Sequence, residues 1–269
     1  MTLPINEIIC GDCLDVMSGF PDECIDLTVT SPPYDNLRKY QGYTFDFEGI
    51  AHELYRITKP GGVVVWVVGD ATINGSETGT SFRQALYFKD EVGFNLHDTM
   101  IYSAEKPPLT HNRYEQKFEY MFVLSKDKPK TFNPILIACK HAGSSTTTST
   151  FRHTGEETQP AHKQGKVKTH KIKGNIWDYV VGYMKTTTDI MSHQHPAIFP
   201  EQLAQDHILS WSNPGDIVLD PMVGSGTTCK MAALNNRNYI GIDISEEYCE
   251  IARELIKTHT AQLRLNMLV

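Results

Sequence analysis

Long apolar runs are absent from this sequence. None of its hydrophobic stretches approaches the roughly 20 residues that a membrane-spanning helix requires. The first residues, MTLPINEIICGD, also lack a basic segment followed by an apolar one, which is the pattern of a secretory signal. These two absences predict a cytoplasmic protein without a membrane partner.

Clustered metal ligands are scarce as well. The six cysteines are scattered, and only Cys10 and Cys13 have the spacing of a metal or redox pair, with no second close pair to complete a zinc site. We interpret both as ordinary residues at the end of a strand. His193 and His195 form an HxH pair without a cysteine or an acidic cluster to join it. The sequence therefore predicts no metal.

An excess of positive charge is the third absence, since the net charge is −7. The charge is unevenly divided, however: residues 126–173 hold ten Lys or Arg against three acids, a local charge of +7, and the remainder carries −14. Because phosphate neutralisation supplies most sequence-independent affinity for nucleic acid, this pattern favours a phosphate-facing arm on an acidic body. A solvated surface loop is the alternative. The lysines expected at phosphates are Lys163, Lys166, Lys168, Lys171 and Lys173.

What the sequence does contain is an alternation of strand and helix patterns. Such alternation predicts an α/β protein, and 269 residues suit one main domain with an insertion. From about 127 to 175 the chain has almost no apolar residue, so this segment is expected to be an inserted arm or small module. The predicted strands are 7–12, 26–33, 62–70, 97–104, 118–126, 216–221 and 238–245, and the predicted helices are 47–59, 200–212, 227–236 and 246–257.

A nucleotide-binding pattern, DPMVGSGTT, occupies residues 220–228. Gly224 and Gly226 remove side chains where the backbone must turn sharply and approach a ligand. Asp243, about 20 residues further on at the end of a strand, is placed to accept hydrogen bonds from ribose hydroxyls. A dehydrogenase and a tight turn without a ligand are the alternatives. The GSGTT sequence and the preceding Asp220 disfavour a pyrophosphate, and the acid suits an ammonium group.

A second pattern, TSPPY, occupies residues 30–34. Pro32 and Pro33 fix two φ angles and remove two amide donors, so that the turn is stiff and its carbonyls face outward. The Ser31 hydroxyl and the Pro32 carbonyl are acceptors for the hydrogens of an exocyclic base amine, and Tyr34 offers a face on which an extruded base can stack. A proline turn that merely closes a strand is the alternative.

TSPPY lies early in the chain and DPMVGSGTT lies late. In this order, the two motifs resemble those of the permuted, beta-class amino-methyltransferases of DNA, which transfer a methyl group from S-adenosylmethionine to cytosine N4 or adenine N6. The family's catalytic motif, an Asp, Asn or Ser followed by two prolines and an aromatic residue, is matched by Ser31, Pro32, Pro33 and Tyr34. The resemblance implies cofactor contacts at Asp12, Phe199, Pro200, Asp220, Met222, Gly224, Ser225, Gly226, Thr227 and Asp243.

The resemblance also implies a fold. It is a Rossmann-like, circularly permuted sheet of seven mostly parallel strands, with helices on both faces and one antiparallel strand near an edge. The chain would start at the third strand of that sheet and end after the second. The implied parts are a catalytic part (1–126), a target-recognition insertion (127–190) and a cofactor-binding part (191–269). The strand ends would bring Asp12, Ser31, Asp220 and Asp243 to one rim.

The identity of the methylated base is inferred from the first position of the catalytic motif. Serine at the first motif position is commoner among the family's cytosine N4 enzymes, so cytosine N4 is favoured and adenine N6 is the alternative. A catalytically inactive DNA-binding or regulatory homologue is a remote third reading, because no motif is visibly broken. The expected partner is double-stranded DNA, with a cognate restriction endonuclease as a further candidate. The sequence leaves open the recognition sequence and whether the protein is a monomer or a homodimer.

Overall fold

The computed structural model describes residues 3–33, 45–104, 113–150, 161–182, 186–187 and 200–266, with the backbone alone described for 146–150, 161–164 and 262–266. The chain forms two compact units. The first comprises Met1–Asn133 and Asn175–Val269, and the second comprises Pro134–Gly174. Among the helices of the described ranges, none is long and apolar enough to cross a membrane.

The elements alternate as the sequence patterns predicted. The helices are α1 Cys13–Ser18, α2 Phe47–Ile57, α3 Thr80–Tyr87, α4 Glu201–Trp211, α5 Thr227–Leu234 and α6 Glu246–Asn266, with one π-helical turn at Phe88–Val92. The strands are β1 Glu7–Cys10, β2 Ile25–Thr30, β3 Thr58–Val68, β4 Thr72–Ile73, β5 Ser76–Glu77, β6 Asn95–Ser103, β7 Phe118–Ser125, β8 Leu136–Ala138, β9 Ser145–Thr150, β10 Ala161–Lys166, β11 His170–Ile172, β12 Ile176–Asp178, β13 Ile217–Asp220 and β14 Asn238–Asp243.

The main sheet has the strand order β1-β14-β13-β2-β3-β7-β6-β12. Neighbouring strands are parallel except at β7, which runs antiparallel to both β3 and β6. The predicted mostly parallel sheet is therefore confirmed, with its antiparallel strand near one edge. The strand β12 adds an eighth, three-residue strand beside β6 that the sequence did not predict, because a segment this short shows no periodicity.

The core lies on both sides of this sheet. Residues 63–68 of β3 are all buried, as expected of a central parallel strand. On one face, α2 begins at Asp46, whose carboxylate accepts from the Gly49 amide at 3.0 Å, and it buries Ile50, Leu54 and Ile57 as its periodicity predicted. Burying a side chain such as Leu54 contributes about 1.5 to 3 kcal/mol. A smaller cluster contains residues of α5 and α6 together with Ile8 of β1.

Two short helices were missed by the sequence patterns. The helix α1 has six residues and buries only Met17, so it has no apolar stripe to detect. The helix α3 starts after Gly79, which has a φ of +65° and offers no side-chain cap. Start signals of the usual kind are therefore lacking at α3.

The second unit consists of two antiparallel ribbons, β9 with β10 and β8 with β11. Several of its apolar side chains are exposed, among them Leu136 by 57% and Ile172 by 55%. This agrees with a segment too poor in apolar residues to build a core of its own.

Candidate functional site

Four of the predicted site residues lie at the carboxyl ends of four strands that are consecutive in the sheet. Asp12 follows β1, Asp243 ends β14, Asp220 ends β13, and Ser31 follows β2. Strands are spaced by about 4.8 Å, so this row spans roughly 14 Å. The sheet thus brings together on one rim residues that are up to 231 positions apart in sequence. The order along the rim is Asp12, Asp243, Asp220, Ser31.

Asp220 is the most deeply buried acid of the rim, with 5% of the residue exposed. Its Oδ1 accepts from the Thr30 hydroxyl at 2.8 Å and from the Met222 amide at 3.2 Å. Burial raises its pKa to about 6, although hydrogen bonds from Thr30, Thr228 and Met222 oppose the shift. A carboxyl group held in this way gains most from a cation placed beside it, because a positive charge would compensate its lost hydration.

Asp243 is half-buried, and its carboxylate hydrogen bonds to the backbone of two adjoining loops. Its Oδ2 accepts from the Gly224 amide and its Oδ1 from the Ser245 amide, both at 2.9 Å. A carboxylate has about four acceptor positions, so two remain for hydroxyls of a ligand. Its backbone carbonyl accepts from the Gly11 amide at 2.9 Å, which ties the end of β14 to the turn before α1.

The glycine loop is shaped by two positive φ angles, +49° at Gly224 and +90° at Gly226. A Cβ at Gly226 would lie 2.8 Å from the Cα and Cβ of Ala252 on α6. Gly226 is therefore required for close helix packing. The predicted neighbours Ser225 and Thr227 are buried, with their hydroxyls 3.4 Å apart, and Met222 is half-buried.

Asp12 is exposed and caps α1. Its Oδ1 accepts from the Leu14 amide at 2.8 Å and from the Asp15 amide at 3.4 Å. Because both bonds end on the same oxygen, this arrangement fixes the orientation of the carboxylate at the rim.

The proline turn follows β2 directly. Thr30 is 1% exposed and pairs with Trp66 of β3 in the sheet register. Ser31 and Pro33 are half-buried and Pro32 is buried. Tyr34 lies outside the described residues.

The segment predicted to cover the cofactor is described only from Pro200 onward, and Phe199 lies outside the described residues. Pro200 is buried and precedes α4. Next to it, Glu201 accepts from the Lys230 ammonium at 2.9 Å and from the Thr187 hydroxyl. Sequence reasoning missed Lys230, which is 2% exposed. A lysine in a helix is normally solvated, and no local signal marks this one as buried.

The predicted phosphate-contacting lysines lie in the second unit. Lys166, Lys168 and Lys171 are exposed and Lys173 is half-buried. Lys163 lies on β10, where only the backbone is described. Within the described ranges, no group of three or more His, Cys, Asp or Glu side chains is arranged to hold a metal ion.

Comparisons with known proteins identify the family of this chain. Residues 25–254 match the N6/N4 family model described as "DNA methylase". The orphan methyltransferase M.BamHII of Bacillus amyloliquefaciens is 59% identical over 243 residues, which cover 88% of this chain and 91% of that protein. The DNA adenine methyltransferase YhdJ of Escherichia coli K12 is 31% identical, with coverage of 91% and 81%.

Solved structures show the same fold. The PvuII DNA methyltransferase, described as cytosine-N4-specific, has a TM-score of 0.69 at 21% identity and covers 94% of this chain and 87% of its own. A DNA modification methylase of Thermus thermophilus, complexed with S-adenosylmethionine, has a TM-score of 0.63 at 22% identity, with coverage of 95% and 94%. This chain therefore belongs to the N4/N6 family of S-adenosylmethionine-dependent DNA amino-methyltransferases.

Proposed function

We propose that this enzyme transfers the methyl group of S-adenosylmethionine to N4 of a cytosine extruded from double-stranded DNA. The observation that carries the proposal is the order of side chains along the rim, Asp12, Asp243, Asp220 and Ser31, at four consecutive strand ends. Three acids in a row beside an acceptor-bearing turn suit a ligand that is nucleoside-like at one end and cationic at the other.

The described residues fit the cofactor by their chemistry. Asp220, buried and with a raised pKa, would hold the methionine ammonium. Asp243, with two amides already bound, would accept the ribose hydroxyls, and Asp12 would contact the adenine end. When bound, the cofactor supplies an electrophilic methyl group on a sulfonium. The remainder of the cofactor site would be lined by Met222, Gly224, Ser225, Gly226, Thr227 and the segment at Phe199 and Pro200.

The chain's own contribution to the reaction lies at the proline turn. The lone pair of an exocyclic amine is delocalised into its ring and attacks poorly. The Ser31 hydroxyl and the Pro32 carbonyl would accept hydrogen bonds from the two amine N–H groups, which favours a pyramidal nitrogen with its lone pair directed at the methyl group. Tyr34 would stack on the base and hold it out of the duplex. The two prolines keep the acceptors in place because both φ angles are fixed.

Cytosine N4 is favoured over adenine N6 by Ser31 at the first position of the motif. The solved neighbour described as cytosine-N4-specific supports this choice, whereas the adenine specificity of YhdJ keeps adenine N6 as the second candidate. A serine hydroxyl can accept from either amine, so Ser31 favours cytosine N4 through the family resemblance of the motif and not through a difference in hydrogen bonding.

Binding to DNA would use the basic part of residues 126–173, with phosphate contacts at Lys163, Lys166, Lys168, Lys171 and Lys173. The 59% identical M.BamHII is described as orphan, which supports an enzyme without a cognate restriction endonuclease.

The test is methylation of DNA by the purified enzyme, followed by enzymatic digestion and mass spectrometry of the nucleosides. N4-methyldeoxycytidine is expected in the wild type and should be lost in Ser31→Ala, which should still bind S-adenosylmethionine. N6-methyldeoxyadenosine instead would establish the second candidate. A wild type that binds DNA and the cofactor but yields neither nucleoside would indicate an inactive homologue.

A further inference from the structure

One hydrogen bond crosses the sheet between the proposed cofactor site and the proline turn. Thr30 Oγ1 donates to Asp220 Oδ1 at 2.8 Å, and both residues are buried. Thr30 is the last residue of β2 and Asp220 the last of β13. The two strands are parallel neighbours, with Leu219 opposite Thr28. The bond therefore joins the ends of the two strands that carry the two motifs.

A second hydroxyl lies in the same network but has two acceptors. Thr228, in the first turn of α5, donates to the Val29 carbonyl at 3.3 Å and also hydrogen bonds with Asp220. A hydroxyl has one proton, so Thr228 serves these acceptors alternately. The Thr30 proton at 2.8 Å is directed to Asp220.

Backbone donors are scarce in the turn that follows Thr30. Pro32 and Pro33 have no amide hydrogen, so the two residues after Ser31 cannot donate backbone hydrogen bonds. The position of Ser31 therefore depends in part on how the end of β2 is anchored. The Thr30 side chain anchors it to Asp220, the residue proposed to hold the methionine ammonium.

We propose that Thr30 is a positioning residue that couples the two halves of the site: it orients the Asp220 carboxylate toward the cofactor and fixes Ser31 against the target amine. This inference rests on the proposed role of Asp220. Thr30 would act through Asp220 and Ser31 and would touch neither the cofactor nor the base.

One further charged group influences Asp220, since Asp243 on β14 raises its pKa. The Cys229 thiol of α5 is also near, and burial, followed by Asp220, contributes to the raised pKa of that thiol. Asp243 and Cys229 are present in every variant below, so their contribution is constant. The cofactor itself brings a group that titrates near neutral pH, its α-amino group, whose ordinary pKa is about 8.

The decisive experiment compares Thr30→Val with Thr28→Val. Both changes remove a buried hydroxyl from β2 and keep the branched shape. Thr28 is fully buried, and its hydroxyl has no hydrogen-bond partner within the described part of the chain, so its loss should be neutral. Thr30→Ser keeps the donor and should restore wild-type behaviour.

The first readout is the dissociation constant of S-adenosylmethionine between pH 5 and 9, measured by calorimetry. Affinity should be highest where Asp220 is ionised and the cofactor amine is protonated. A plot of affinity against pH should therefore have an acidic limb, where Asp220 becomes protonated, and an alkaline limb, where the amine loses its proton. Loss of the Thr30 donor should shift the acidic limb to higher pH by roughly one to two units, because a hydrogen bond to a charged group favours the charged form by that amount. The alkaline limb should not move. General damage to the fold would lower affinity without moving either limb.

The second readout is the single-turnover rate of methyl transfer at saturating cofactor and DNA. We expect a fall of about ten- to a hundredfold in Thr30→Val, since small displacements of a positioned group have effects of this size. Circular dichroism would check the fold of each variant. Should Thr30→Val not fold, Thr30→Cys provides a smaller, unbranched side chain with a weak donor, and the expected directions are the same.

The outcomes distinguish failure of the coupling by Thr30 from failure of the proposed role of Asp220. Thr30→Val that matches Thr28→Val in both readouts would overturn the coupling. A moved acidic limb with an unchanged transfer rate would overturn the link to Ser31. Asp220→Asn with wild-type affinity for S-adenosylmethionine would refute the proposed role of Asp220, and the coupling with it. Weakened binding in Asp220→Asn together with an unaltered Thr30→Val would leave the proposed function standing and refute only this inference.

Discussion

Replacing Asp220 by asparagine should stabilise the cofactor-free protein at neutral pH and at the same time weaken its binding of S-adenosylmethionine. Asp220 is buried at the end of β13, where its carboxylate accepts from Thr30 and Met222. Asparagine has the same shape and can still accept from both donors through its amide oxygen, but it carries no charge. The substitution therefore isolates the effect of the buried charge.

The magnitude follows from the pKa. Burial raises the pKa of Asp220 from 3.8 to about 6, so the folded state binds its proton more tightly than the unfolded state. The free energy of unfolding should therefore fall as pH rises from about 4 to about 6, and it should stay lower at pH 7. A gap of about two units corresponds to roughly 3 kcal/mol, which is the upper limit of the gain from the substitution at pH 7.

The assay is urea unfolding of the wild type and Asp220→Asn, without cofactor, at pH 7 and at pH 4. The variant should be more stable at pH 7, and the difference should largely vanish at pH 4, where the carboxyl of the folded wild type is protonated. Calorimetry at pH 7 should show weaker binding of S-adenosylmethionine by the variant. The reasoning would be refuted by a variant that is less stable than the wild type at pH 7. It would also be refuted if the free energy of unfolding differed from that of the wild type by the same amount at both pH values.

Three further predictions concern the loops and the arm. Asp243→Ala should lower the free energy of unfolding by about 1 to 3 kcal/mol and weaken cofactor binding, because the Gly224 and Ser245 amides lose their acceptor; unchanged urea unfolding would contradict this. Gly226→Ala should destabilise by roughly 1 to 3 kcal/mol, since its Cβ would meet Ala252 at 2.8 Å. Gly75→Ala is the matched control, because Gly75 has a φ of +80° and a Cβ there would meet no atom within 4 Å. An equal loss of stability in both variants would contradict the packing argument. Deleting 141–171 should lower the slope of log K against log salt for DNA by about 0.9 per lost phosphate contact and leave cofactor affinity intact; an unchanged slope would identify the arm as a solvated loop.

Much of the fold could be read from local patterns. The buried strand β3 was predicted from its continuous apolar run and the helix α2 from its periodic apolar face, because each pattern extends over a full element. The short elements α1 and β12 could not be predicted, since a few residues carry no period. The eighth strand exists because Ile176–Asp178 pairs with β6, and such pairing depends on a partner more than 70 residues away.

In the candidate site, too, some features follow from local sequence and others depend on contacts between distant segments. The sequence by itself predicted which residues are candidates for the chemistry, because a proline-fixed turn and a glycine loop are local features of the backbone. It did not reveal the ion pair of Lys230 with Glu201, since a lysine on a helix is ordinarily solvated. It also did not reveal that Thr30 donates to Asp220 across 190 positions of sequence. Only the tertiary structure decided these contacts, because sheet pairing sets which strand ends are neighbours and burial then makes each polar group find a partner.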